Sequence, residues 1–97
     1  MHQLRSIVIN TCFGGFSLSD EALVMYAERK GLNAADVYWL DIERDDYDLI
    51  HVVRTLGEKA NGECARLKIV EIPADVIWFV KEYDGAEHIA EAHRTWA

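Results

Sequence analysis

Residues 66–91 read RLKIVEIPADVIWFVKEYDGAEHIAE, and the way this stretch divides into elements decides the fold. Residues 66–72 (RLKIVEI) place Leu67, Ile69 and Glu71 on one face and Lys68, Val70 and Ile72 on the other, the period of two that marks a strand. Pro73, Ala74 and Asp75 break the run, because proline has no amide hydrogen to give a ladder. Residues 76–82 (VIWFVKE) are β-branched and aromatic and read as a second strand, paired with the first about the proline turn. Asp84 and Gly85 then precede a short final helix over residues 86–96, on which Ile89, Ala90 and His93 share one side.

Toward the N-terminus, residues 4–10 (LRSIVIN) are apolar and β-branched with no turn residue, the signature of a buried strand. Residues 11–16 form a turn in which Gly14 and Gly15 allow backbone angles that other residues resist. Ser17 or Ser19 caps a helix that begins near Asp20 and closes at Arg29, Lys30 and Gly31. Residues 36–42 (DVYWLDI) suggest a short or edge strand. Asp45 or Asp46 opens another helix that runs to about Ala60, with Leu49, Val52, Val53, Leu56 and Ala60 as its apolar stripe and Asn61–Gly62 as its stop. The order is strand, helix, strand, helix, strand, strand, helix. It predicts an α/β or α+β fold: one two-layer domain over residues 1–97, with a small mixed sheet of three or four strands covered by about three helices. If its strands are parallel, the first strand–helix–strand unit is right-handed.

The chain has 97 residues, 51% of them hydrophobic and 28% charged, which excludes a disordered or repetitive polymer. Its formal net charge is −7. That disfavours direct nucleic-acid binding, which needs clustered Lys and Arg, and favours a basic partner surface. Residues 1–5 lack the basic stretch and apolar run of a signal peptide, and no run approaches a membrane span. Cys12 and Cys64 show no CxxC spacing and no disulfide framework, so a reducing, cytoplasmic setting is expected.

Cys12 precedes a helix N-terminus, where a dipole favours thiolate, but it lies several residues from the cap and no basic residue flanks it. A thiol nucleophile also needs a base, and His2, His51, His88 and His93 are the candidates. The glycine turn carries no dinucleotide or P-loop pattern. HExxH is absent from the tail, although His88 and Glu91 at i,i+3 would share a helical face. No catalytic residue, metal or cofactor is therefore assigned. The acidic run Asp36, Asp41, Glu43, Asp45, Asp46 and Asp48 is interrupted only by Arg44, and a second group comprises Glu82, Asp84, Glu87 and Glu91. On one surface these acids would make a negative field complementary to a basic channel, with Tyr47, Tyr83 and Trp96 as aromatic anchors. The partner-binding set is accordingly Asp41, Glu43, Asp45, Asp46, Tyr47, Asp48, Glu82, Asp84, Glu87 and Glu91. Two alternatives stand beside it. One is a small enzyme or a ligand- or metal-binding protein using the loop of Cys12, Gly14 and Gly15 with a histidine. The other is a structural or regulatory homodimer joined through Trp78, Phe79 or Trp96.

The segments IVINTCFGGFSLSDEA, DLIHVVRTLGEKANGECARLKIVEIP and EYDGAEHIAEAHRTW resemble a group of small proteins found mainly in bacteriophages and prophages. The resemblance spans nearly the whole chain, but in that group the stretch between the first helix and the acidic segment is longer. It implies no chemistry for any residue. It does imply a setting, the bacterial host cell, and a class analogy with acidic phage inhibitors of bacterial defence. Among these are anti-CRISPR proteins that block a nucleic-acid channel with a negative surface. The expectation is thus an acidic binding protein that occludes a basic surface of a host nucleic-acid-binding complex, without touching nucleic acid or membrane itself.

Overall fold

The computed structural model describes residues 3–92. Strand β1 (Leu4–Asn10) leads into helix α1 (Asp20–Lys30), two short 3-10 turns (Ala34–Asp36 and Trp39–Asp41) and helix α2 (Tyr47–Leu56). A third 3-10 turn (Gly57–Ala60) precedes strands β2 (Leu67–Pro73), β3 (Trp78–Tyr83) and β4 (Ala86–Glu91). The described residues make a two-layer α/β domain with two helices and two separate antiparallel pairs, β1–β2 and β3–β4.

β1 and β2 pair from Leu4↔Pro73 to Asn10↔Leu67. Alternation sends Val8, Leu67 and Ile69 toward the helices, where Val8 and Leu49 are fully buried and Tyr26 and Val53 nearly so. Ile7 and Ile9 point the other way and are also buried, so β1 is covered on both faces. Pro73 ends β2 at a non-hydrogen-bonded register position, where its missing N–H disturbs no ladder bond.

Both helices begin where a side chain can take up unbonded amides. Ser19 Oγ accepts from Ala22 N at 3.1 Å, and α1 closes on Gly31 in the left-handed region (φ 70°). Asp46 Oδ1 accepts from Asp48 N (2.8 Å) and Leu49 N (3.2 Å) at the start of α2. Of the two serines offered as caps, Ser19 is the one used, and of the two aspartates, Asp46.

Four expectations are corrected. The final helix does not form over residues 86–91, which are β4. Residues 93–96 of the expected helix, with His93 and Trp96, lie outside the described residues. Asp84 (φ 53°) and Gly85 (φ 89°) are the two central residues of a tight hairpin turn, Tyr83↔Ala86 closing it. Aspartate and glycine both tolerate positive φ, and the right-handed twist of paired strands demands it there. Residues 73–76 do turn, with Val76 N bonding Pro73 O (3.2 Å), but β3 leaves β2 and pairs with β4 instead. The doubtful strand over residues 36–42 is replaced by 3-10 turns, so among the described residues there is no parallel strand–helix–strand unit, and the single mixed sheet under three helices becomes two ladders and two helices.

Candidate interaction surface

β1 has β2 on one side only, and the Arg44 carbonyl and the Glu87 side chain close its other edge. Val8 N donates to Arg44 O (2.8 Å) and Asn10 N to Glu87 Oε1 (2.8 Å). Arg44 in turn grips Glu87 with both guanidinium nitrogens, at 2.5 and 2.9 Å, and stacks on Phe16 with its Cζ 3.7 Å from the ring centroid. The Glu87 side chain is only 7% exposed. Its carboxylate is spent on holding β4 beside β1, so Glu87 is not available to a partner. This corrects its place in the acidic set.

Asn10 is fully buried and completes the join. Its Nδ2 donates to Cys12 O and Gly85 O, both at 2.7 Å, and its Oδ1 accepts from Arg66 N (2.8 Å) and Cys12 N (3.3 Å). Gly85 sits so close to the loop that a Cβ there would lie 2.4 Å from Gly15 N, and one on Gly14 would lie 2.6 Å from Cys64 Cβ. Gly85 therefore lets the hairpin tip rest on the backbone of Gly14 and Gly15, and Gly14 lets that loop pass close against Cys64. Among the described residues, no cluster of three His, Cys, Asp or Glu side chains is placed to hold a metal ion.

The acidic run divides in two. Its second half is tied to the body. Asp45 pairs with Arg5 at 3.4 Å, Asp46 with Lys30 at 3.1 Å, and Asp48 with Arg29 at 2.8 Å and Lys30 at 3.0 Å. Tyr26 Oη donates to Asp46 Oδ2 at 3.0 Å. The basic end of α1 thus meets the acidic start of α2, and each charge also has the sign that its own helix terminus favours. Burial, then the hydrogen bond and charge of Asp46, push the Tyr26 hydroxyl up to about 12. Burial alone would raise Asp46. Lys30, the Leu49 amide, Tyr26 and the Asp48 amide outweigh it and hold that carboxyl below its ordinary value. Lys30 and then Arg29 lower Asp48.

The first half is different. Asp36, Asp41 and Glu43 are exposed and make no ion pair with any described residue. The two 3-10 turns throw Tyr38 and Leu40 outward among them, 52% and 56% exposed, with Leu32 at 55%. Trp39 packs against the core instead and anchors the segment. No Lys or Arg occurs in residues 32–43. Of the remaining acids in the expected set, Glu82, Asp84 and Glu91 are exposed on the β3–β4 hairpin, as Tyr47 is at the start of α2. The exposure of Tyr38 and Leu40 was missed because residues 36–42 were read as a short or edge strand. Their place between Asp36 and Asp41 was the available signal.

A cleft of about 500 Å³ opens between β1–β2 and β4, with Ile9, Val70, Ile72 and Ile89 as its apolar walls and Lys68 and His88 among its polar ones. Its size suits a small apolar ligand or an inserted side chain. No described helix is long and apolar enough to cross a membrane. In comparisons with known proteins, no family model, no curated protein and no solved structure matches the chain, so the surface is read from its own chemistry.

Proposed function

We propose that the protein is an acidic binding module that occludes a basic, nucleic-acid-binding surface of a host defence complex. One observation carries the reading. Residues 32–43 present three acids unpaired among the described residues, three large apolar side chains more than half exposed, and no base. Asp36, Asp41 and Glu43 supply the field that steers a basic partner, and Tyr38 and Leu40 supply the area whose burial holds it. Asp45, Asp46 and Asp48 add to the net charge but are committed to Arg5, Lys30 and Arg29. The resemblance to phage proteins supports the class of partner, and the net charge of −7 supports its sign.

The test is capture from a bacterial lysate at low and high salt, with identification of what is retained. A protein that handles DNA or RNA, bound at low salt and released as ions screen the contact, is the expected result. The triple substitution Asp36→Lys, Asp41→Lys, Glu43→Lys should abolish that capture without loss of helical signal. Capture that survives the triple reversal would sink the mechanism.

A further inference from the structure

The outer edge of β3 is an open strand edge. In the β3–β4 ladder Tyr83↔Ala86 closes a two-residue turn, so the odd-numbered residues of β3 exchange backbone bonds with β4. The bond from Ala92 N to Ile77 O (2.8 Å) continues that pattern. The N–H and C=O groups of Trp78, Val80 and Glu82 consequently point away from β4, and no described residue pairs with them. The edge has no proline and no bulge, two of the devices that keep strand edges apart. One face of the same strand carries Ile77, Phe79 and Tyr83, which are 53%, 42% and 77% exposed.

We propose that this edge is where two copies of the chain join, β3 against β3, antiparallel about a two-fold axis through Val80. This gives a continuous four-stranded sheet with β4 of each copy outermost. The sequence is self-complementary in that register, which overlaps the strand along its whole length. Ile77 of one copy faces Tyr83 of the other, Trp78 faces Glu82, Phe79 faces Lys81, and Val80 faces itself. The exposed apolar groups thus cover each other. Lys81 meets an aromatic ring, which it already approaches within its own chain, its Nζ lying 5.8 Å from the Phe79 centroid. A slip of two residues toward the turn would instead set Lys81 against Lys81, a like-charge contact that disfavours that register. Paired symmetric edges of this kind make an isologous interface.

Sedimentation from micromolar to millimolar protein tests the proposal. The mass should rise from 11.1 kDa toward twice that value, and added salt should not reverse it, because main-chain bonds and apolar contacts are not screened. Val80→Pro removes an N–H that the β3–β4 ladder does not use, so the hairpin should persist while the mass stays at 11.1 kDa. In the unsubstituted protein, exchange of the Val80 amide should slow as concentration rises. A monomer at every concentration would overturn the proposal and leave the edge to an extended strand of another protein. A dimer whose Val80 amide exchanges at a concentration-independent rate would overturn it too.

Discussion

Asn10 and Arg44 show how single residues join parts of the chain that are far apart in sequence. Asn10 has no exposed surface, yet both of its side-chain polar atoms are bonded, to Cys12, Arg66 and Gly85. Arg44 does the same with charge. Its partner Glu87 is nearly buried, so taking away the guanidinium leaves a carboxylate with its desolvation uncompensated. Arg44→Met should therefore lower stability by about 3 kcal/mol in a denaturant titration. Adding Glu87→Gln should recover part of that loss, because a neutral amide oxygen still accepts from the Asn10 amide and no charge remains unpaired. A single-variant loss well under 1 kcal/mol, with no recovery in the pair, would mean that the contact behaves as an exposed ion pair.

At the scale of elements, the junction of α1 and α2 sets the pH range of stability. Asp46 and Asp48 titrate below their ordinary 3.8 in the folded chain, so their contribution is present above about pH 4 and is lost as pH falls through the lowered values. Tyr26 is raised from 10.0 to about 12, so its contribution is present below pH 10 and is lost as pH rises toward 12. Tyr26→Phe should reduce the alkaline part of the stability profile, the rest of which belongs to Lys30, raised by Asp48 and Asp46. It should weaken the acid part less, because Lys30 and the Leu49 and Asp48 amides still hold Asp46 down; thermal unfolding at stepped pH follows both. The elements differ in how plainly the sequence announces them. β1, β2 and both helix starts are marked by periodicity and caps, and they stand where the sequence reading puts them. β4 was read as helix because Ala86, Glu87, Ala90 and Glu91 favour helix locally, and because Ile89 and Ala90 fit either period over so short a run. What decides it is the Asp84–Gly85 turn together with the partner strand before it, a pairing that local propensity does not contain. The acidic surface was legible only as composition. The ion pairs that remove Asp45, Asp46 and Glu87 from it reach across 40, 16 and 43 positions, to Arg5, Lys30 and Arg44.

For the molecule as a whole, the hairpin is the separable part. It is held at its tip, where Gly85 lies on Gly14 and Gly15, and along β4 by Glu87, while β3 faces outward. Gly85→Val should push the tip from the loop, since the position has both positive φ and no room for a Cβ. The expected loss is about 1–3 kcal/mol, seen as faster amide exchange in β4 while α2 keeps its protection. Equal acceleration in both elements would show that hairpin and helices open together.

The register of β1 with β2 has a consequence during synthesis. Leu4–Asn10 is the most deeply buried strand, yet its partner Leu67–Pro73 is made last in that pair, with both helices in between. At translation rates of roughly 5–20 residues per second, Ile7 and Ile9 wait several seconds for the strand that bonds their backbone. The β3–β4 hairpin, by contrast, joins neighbours in the chain and can close within about 10 microseconds of being released. On the ribosome, then, Leu4–Asn10 stays without its ladder partner, open to chaperones and to other nascent chains, until both helices that separate the two strands have been made.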